Sequence, residues 1–146
     1  MTDRPADRAD LLAWFAQFPG RVGEAARAAA QRPVPEGEWT PEQVVRHLIN
    51  VDLEVHQARL RDLAGGGDPS WSWREPGPWP DEPGLGLAGV LARFGETRAA
   101  TVATFRALDD GGWARAGRHA TYGRLDALGL LGLAADHDEE HLAGLG

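Results

Sequence analysis

Apolar residues in this chain recur every three or four positions, and this spacing is the strongest constraint on its fold. The first such segment contains Leu11, Phe15, Phe18, Val22, Ala25 and Ala29. Residues so spaced lie on one face of an α-helix. Three further segments, within 44–55, 87–108 and 130–145, repeat the pattern. No segment shows the apolar–polar alternation of a strand. We therefore expect an all-α protein, with residues 1–146 forming one four-helix bundle domain.

Several helix boundaries are indicated by residue type. Thr40 suits an N-cap, Pro41 the first helical position and Gln43 the reciprocal partner of a capping box. Asp126 is a good N-cap for the last helix. The sequence "DDGG" at 109–112 predicts the end of the third helix. Pro19-Gly20 predicts a bend or a break within the first helix.

Composition excludes several classes of function. The net charge of -7 argues against a nucleic-acid partner, because phosphate binding requires a basic surface. There is no cysteine, so the chain has no thiol nucleophile, thiolate metal site or disulfide of its own. The longest apolar run, 127–135, is too short to span a membrane, and the polar N-terminal stretch does not resemble a signal peptide. We expect a cytoplasmic protein without a membrane partner.

A long connection, residues 65–86, separates the second and third helices. Eleven of its 22 residues are Gly or Pro, and it contains Trp71, Trp73 and Trp79. Long loops in compact domains are commonly functional or disordered, and tryptophans favour an ordered loop that covers something. The three tryptophans are candidates for binding a cosubstrate or substrate. They are equally compatible with closing one end of the bundle.

Two of the five histidines, His137 and His141, lie four residues apart in the last helical segment. They therefore share a helix face, and this face continues the apolar line of Leu130 and Ala134. Buried imidazoles need partners, and a pair at this spacing can bind one metal ion. The spacing alone also fits partly buried histidines near a helix end, because short motifs have many false positives.

A metal site needs at least a third ligand, and three other histidines are available. His47 and His56 are nine residues apart, which is roughly 180° around one α-helix, so both cannot face one site. His47 lies near the apolar face and is the predicted ligand. His56 is expected to face solvent. His119 is expected to stabilise its loop or to support the site from outside it.

Acidic residues near these histidines are the candidate bases. Glu54 lies two turns after His47, where it can orient a ligand, act as a base or pair with an arginine. Asp138 directly follows His137 and Glu140 lies three residues after it, so either can hold a water near a metal. Asp136 and Glu139 are expected to face solvent, as most acidic clusters at helix ends do.

These segments resemble the DinB-like (YfiT-type) metalloproteins, four-helix bundles with three histidine ligands. The stretch "GEWTPEQVVRHL" resembles the family's second helix, with its Trp-Ser/Thr start and metal-binding His. The stretch from His119 resembles the family's His-x-x-x-Gly turn and a last helix ending His-Asp-x-x-His. The loop "DPSWSWREP" is similar to a Trp-rich loop of some members. The resemblance covers nearly the whole chain and implies metal ligation by His47, His137 and His141.

Three neutral imidazoles fit Zn, Ni, Fe or Mn, with Zn or Ni weakly favoured, and leave positions open for substrate. The family includes S-transferases that use low-molecular-weight thiols such as bacillithiol or mycothiol. The resemblance therefore implies a stress-response or detoxification transferase that joins such a thiol to a small electrophile, and it implies a homodimer. A metal-dependent hydrolase and a non-enzymatic metal- or ligand-binding bundle are the alternatives.

Overall fold

A computed structural model describes residues 7–146, which form a helical bundle with one small sheet. The first six residues of the predicted domain, 1–146, lie outside this described part. The helices are α1 (Arg8–Ala29), α2 (Pro41–Val51), a π-helical segment (Asp52–His56), α3 (Gln57–Ala64), α4 (Gly86–Arg106), α5 (Asp110–Ala114) and α6 (Ala127–Leu145). The strands are β1 (Ser70–Trp71), β2 (Ala116–His119) and β3 (Gly123–Asp126). Within residues 7–146, no helix is both long and apolar enough to cross a membrane.

Helix α1 runs without interruption through Pro19, so the predicted break is wrong. Proline removes one backbone hydrogen bond, which costs about 3 kcal/mol in a helix interior. Phe15 and Phe18 before the proline and Val22 after it are fully buried. Burial of such side chains contributes about 1.5–3 kcal/mol each, so packing on both sides offsets the lost bond.

Helix α2, the π-helical segment and α3 form one continuous helix. The predicted capping box is confirmed: Thr40 Oγ1 accepts from Gln43 N–H at 3.1 Å, and Gln43 Oε1 accepts from Thr40 N–H at 2.9 Å. The π-helical turn contains one more residue than an α-turn. It therefore reduces the angle between His47 and His56 from roughly 180° to about 80°. This change of phase alters which residues face the bundle interior.

The bundle core consists of two apolar clusters that a buried ionic network connects. One cluster surrounds Phe15 and Leu131, and the other surrounds Phe18 and Phe94. The guanidinium of Arg98, on α4, stacks on Phe15 at 3.7 Å and lies 4.9 Å from the centre of the Phe94 ring. Its charge must be neutralised there, because burial of an unpaired ion is very costly.

A three-stranded sheet of order β1-β2-β3 packs on the bundle, although no strand was predicted. Strand β1 pairs with β2 in parallel, and β2 pairs with β3 antiparallel. The strands have only two to four residues, too few for alternation to be recognised. Gly117 is required at its position, because a Cβ there would lie 2.4 Å from Trp71 Cη2. The sheet thus ties the Trp-rich loop to the chain before α6.

The predicted role of "DDGG" as the end of the third helix is also wrong. Helix α4 already ends at Arg106, and the acidic pair begins the short helix α5 instead. Asp109 Oδ1 accepts from the Gly112 N–H at 2.7 Å, which is N-cap geometry. At the start of α6, Asp126 caps in the same way as predicted, accepting from Gly129 N–H at 2.8 Å.

Candidate metal centre

The structure brings His47 of α2 together with His137 and His141 of α6. The Nε2 atom of His47 lies 3.3 Å from that of His137 and 3.2 Å from that of His141, and the latter two are 3.2 Å apart. His47 is fully buried, while the other two are partly buried. Three imidazole nitrogens from two helices thus form a nearly equilateral triangle, although more than 85 residues separate the two helices in the chain.

The size of this triangle fits a metal ion. Ligand nitrogens lie about 2.0–2.1 Å from zinc, so in tetrahedral geometry they are about 3.3 Å from each other. His47 Nδ1 donates to the Pro76 carbonyl oxygen, which fixes the proton on Nδ1 and leaves the Nε2 lone pair free. The donor set therefore fits a divalent cation.

A fourth potential ligand, Glu75, comes from the Trp-rich loop. Its Oε1 atom lies 2.8 Å from His47 Nε2, 2.9 Å from His137 Nε2 and 3.7 Å from His141 Nε2. The four side chains form a cluster whose ligand atoms all lie within 4.8 Å of one another. Sequence reasoning missed Glu75 because 28 residues of chain separate it from His47. The one available signal was its position among the tryptophans of the loop.

Contacts from α2 hold the loop over the histidines. The Asn50 side-chain amide donates to the Gly77 carbonyl at 2.8 Å and to the Trp79 carbonyl at 3.1 Å. The Arg46 guanidinium donates to the Pro80 carbonyl at 3.2 Å. On the other side of the triad, the Trp39 ring lies 5.0 Å from that of His47. The second helix therefore both supplies a histidine and positions the loop that carries Glu75.

Burial favours the neutral form of His47 and His141. It lowers the pKa of His141 to about 4, with the neighbouring His137 and His47 acting in the same direction. Burial also lowers the pKa of His47, although its bond to Pro76 opposes this. For Glu75, burial opposes ionisation, but the hydrogen bond with His137 and the charges of the histidines hold its pKa below the usual range. Neutral imidazole and ionised carboxylate are the forms that bind metals.

A buried ionic network links α6 to α4 and to the π-helical segment. Arg98 donates to Asp52 at 3.0 Å through both Nε and Nη2, and to Asp138 at 2.8 and 2.9 Å through Nη1 and Nη2. Thr101 Oγ1 also donates to Asp52 at 2.9 Å. Burial raises the pKa of Asp138 to about 6 against the opposing charge of Arg98. The network joins the π-helical segment to the residue that follows His137 and so sets the position of that histidine.

The three acidic candidates lie in different surroundings. Asp138 is fully buried on Arg98, away from the histidine nitrogens. Glu54 is half-exposed and pairs with Arg74 at 2.6 Å, so its position agrees with the predicted pairing with an arginine. Glu140 lines a cavity beside His137. Of the three, Glu140 has the position that a base acting on a ligand in this cavity would need, and its role stays a prediction.

The prediction that His56 faces solvent is wrong. Its side chain is 10% exposed, its ring lies 6.3 Å from that of His137, and it lines the same cavity. The π-helical segment is the physical reason, because it turns His56 inward. Burial lowers the pKa of His56 to about 3. His119 is buried and accepts from the Thr121 N–H at 3.0 Å through Nδ1, as expected for a residue that stabilises its turn.

The cavity has a volume of about 180 Å³ and opens beside the histidine triad. Val55, Phe105 and Leu130 provide apolar wall, and His137 and Glu75 provide the end next to the triad. Among the three loop tryptophans, Trp73 lines this cavity and is 60% exposed. Trp71 packs on Gly117 and donates from Nε1 to Asp62 at 2.9 Å, which is a structural role.

Comparison with known proteins agrees with this geometry. A model of the DinB superfamily matches residues 6–144. Among solved structures, the chain is similar to YfiT from Bacillus subtilis, described as a probable metal-dependent hydrolase with an unusual four-helix bundle topology. The TM-score is 0.72 at 20% identity, and the alignment covers 99% of this chain and 89% of the other. At that identity the likeness shows the fold alone. No curated protein matches.

Proposed function

Since the chain belongs to the DinB superfamily, we propose that it is a divalent-metal-dependent enzyme that joins a low-molecular-weight thiol to a small organic electrophile. The observation that carries the proposal is the triangle of three Nε2 atoms beside a partly apolar cavity that His137 also lines. Three protein ligands leave a position for an exogenous group, as in catalytic sites. A bound divalent metal would lower the pKa of a thiol or a water that joins it.

Some residues of the site would bind the ion, and others would position its ligands or the substrate. His47, His137 and His141 would hold the ion, which is a zinc, nickel, iron or manganese ion, with zinc or nickel weakly favoured. The backbone carbonyl of Pro76 orients His47, and Arg98 fixes the start of the His137 turn through Asp138. The apolar wall of Val55, Phe105 and Leu130 would hold the electrophile and exclude water from it. Trp73 would cover the outer side of the cavity.

The chain's lack of cysteine is consistent with this proposal, because the cosubstrate would supply the sulfur. In the reaction, the thiol sulfur forms a bond to the electrophilic carbon. The thiol proton passes to a base or to solvent, and any leaving group departs with its bonding electron pair. Glu75, Asp136 and Glu140 are the carboxylates of the described residues that line the cavity, and each is placed to accept that proton.

Hydrolysis is the second candidate, and one observation favours it. The Glu75 carboxylate lies within 2.9 Å of two of the three imidazole nitrogens, where it can accept a proton from a water at the site. The YfiT structure was described in the same terms, as a probable metal-dependent hydrolase. In this case water would replace the thiol as the attacking group, and the three histidines and the cavity wall would keep the roles described for the transferase.

Thiol dependence separates the two candidates. Protein loaded with zinc or nickel is incubated with an aryl halide or epoxide, with and without bacillithiol, mycothiol or a simple thiol analogue. The transferase proposal requires an S-conjugate that forms only when protein, metal and thiol are all present. Product formation without any thiol would overturn it in favour of hydrolysis. The His47→Ala variant is the control, because it removes a ligand without altering the cavity wall.

The homodimer, which the resemblance implies, and the cytoplasmic location, which the sequence pattern indicates, remain predictions. Sedimentation or light scattering of the purified protein measures the first. A protein that stays monomeric at every concentration tested would contradict it.

A further inference from the structure

The cavity beside the triad contains buried imidazole nitrogens that have no hydrogen-bond partner. Among residues 7–146, these are His56 Nε2, His119 Nε2 and His137 Nδ1, and all three residues line the cavity. A buried polar atom without a partner costs about 1–3 kcal/mol. Native structures tolerate few such atoms, so these three are places where a ligand or an ordered water in the cavity forms a hydrogen bond.

The protonation of His119 is fixed by the turn that holds it. Its Nδ1 accepts from the N–H groups of Thr121 at 3.0 Å and Tyr122 at 3.4 Å, so Nδ1 carries no proton. The Nε2 of the neutral ring must then carry it and act as a donor. His119 is only 2% exposed, so this donor cannot be satisfied by bulk water. A ligand in the cavity therefore needs an acceptor at this place.

Two further groups make the His119 side of the cavity a site for an anion. The Tyr122 ring lies 4.8 Å from that of His119 and carries a phenolic hydroxyl. Arg59 lines the same cavity as His119 and Tyr122, and burial together with the charge of Arg59 lowers the pKa of His119. Arg59 donates to the Ser72 carbonyl at 3.1 Å, and a guanidinium has five N–H donors, so others remain for a ligand. We call Arg59, His119 and Tyr122 the basic corner.

The acidic residues of the cavity lie at its other end. Glu75 contacts the triad, and Asp136 and Glu140 flank His137 in the sequence. In the metal-free protein an anionic group on a ligand is therefore repelled from that end and attracted to Arg59, while Arg74, which also lines the cavity, is paired with Glu54. Between the ends, Val55 and Phe105 offer apolar surface. The arrangement suits a small molecule with an apolar body and one carboxylate.

We propose that the basic corner binds the carboxylate of a small amphipathic substrate, whose apolar body lies along the cavity toward the triad. The assignment rests on the proposed function, since it names the class of electrophile for the same site. The carboxylate accepts from His119 Nε2–H and from the Arg59 guanidinium, a charge-assisted contact. The reactive part of the molecule then faces the three histidines. The basic corner itself binds and positions, and takes no part in bond formation.

The test compares 4-fluorobenzoate with 4-fluorobenzamide, two probes of one shape that differ in charge. Binding is followed by fluorine NMR, in metal-free and in zinc-loaded protein. We expect the carboxylate to bind about tenfold or more tightly than the amide in both forms, as hydrogen bonds to charged groups imply. Equal affinities would overturn the proposal. A preference seen only in zinc-loaded protein would also overturn it, because the carboxylate would then be a metal ligand.

Two variants locate the preference. Arg59→Met keeps the apolar stem and removes the charge, while His119→Asn keeps an acceptor for the Thr121 N–H and removes the Nε2 donor. Each should reduce the carboxylate affinity about fivefold or more and leave the amide affinity unchanged. Arg118→Met is the matched control, since Arg118 is exposed on β2 outside the cavity. An undiminished preference in Arg59→Met would refute the proposal even if His119→Asn failed to fold.

Failure of the proposed function gives a different result. If the loaded protein turned over no electrophile with any thiol, the carboxylate preference of the metal-free protein would be unaffected. If the protein formed the conjugate but showed no preference for the carboxylate, the transferase proposal would be supported and the carboxylate substrate class would be wrong. The two outcomes are therefore measured separately.

Discussion

His47 lies outside the last helix, and its imidazole completes the nitrogen triangle. Replacing it with alanine leaves His137, His141 and the partly exposed Glu75, and it removes the one ligand that is fully buried and oriented by a backbone carbonyl, so the site loses affinity for the ion. We expect the wild-type protein to retain a stoichiometric divalent metal after dialysis and His47→Ala to lose most of it, as measured by elemental analysis. His56→Ala, which removes a neighbouring buried histidine, is the control and should retain the metal. Full retention by His47→Ala would refute the three-histidine site.

Glu75 occupies the side of the triangle toward the loop and is a third exposed. With cobalt(II) in the site, we expect Glu75→Ala to retain the metal, because the three histidines remain. The bands of the visible spectrum should change in position and intensity, since water replaces the Glu75 carboxylate as a ligand. Glu54→Ala, which removes a carboxylate paired with Arg74 instead, should leave the spectrum as it is. An unchanged spectrum in Glu75→Ala would mean that the carboxylate does not reach the metal.

At the scale of elements, α4 is linked to the π-helical segment and α6 by Arg98. The change Arg98→Met leaves Asp52 and Asp138 buried without their shared cation, and the loss of one partner of a buried pair costs about 3–5 kcal/mol. We expect a decrease of that size in the free energy of unfolding, measured in urea. The matched control is Arg106→Met, an exposed position at the end of the same helix, which should change stability by less than about 0.5 kcal/mol.

The contact between β1 and β2 depends on a missing side chain. In Gly117→Ala, the new Cβ would lie 2.4 Å from Trp71 Cη2, so the indole ring must move and the strands must separate. Overpacking of this kind costs about 1–3 kcal/mol, and urea unfolding would measure it. Gly132→Ala in α6 meets nothing within 4 Å and should instead stabilise the helix by about 0.5–1 kcal/mol. Equal stability of Gly117→Ala and wild type would show that the strand contact is loose.

For the whole molecule, buried neutral histidines make the stability of the metal-free protein depend on pH. The pKa of His56 falls from 6.5 to about 3 on folding, so the unfolded chain binds the extra proton as the pH falls below 6.5. Stability is therefore fully present above pH 6.5 and is lost toward pH 3, by about 3 kcal/mol between pH 7 and pH 4 for this residue. Urea unfolding across this range, beside His56→Gln, measures the effect. An equally steep loss in the variant would assign it to other groups.

Much of the architecture could be read from local patterns. The helix faces, the capping box at Thr40 and the cap at Asp126 depend on residues within a few positions of each other, so spacing and residue type were sufficient. The inward direction of His137 and His141 followed from the same periodicity. The continuation of α1 through Pro19 did not follow from this periodicity, because packing of both halves of the helix outweighs the one backbone hydrogen bond that proline removes.

The sequence by itself determined the helix faces, the family resemblance and the inward direction of His137 and His141, because each depends on residues within a few positions of one another. Only the tertiary structure decided the remainder of the site. The π-helical turn redirected His56, the loop placed Glu75 on the triad, and pairing of two-residue and four-residue strands buried His119. Each of these depends on contacts between residues far apart in the chain. The stabilising energy of these contacts comes from side-chain packing and strand pairing, which a local sequence pattern does not contain. At these positions it exceeded the local conformational preference of the residues.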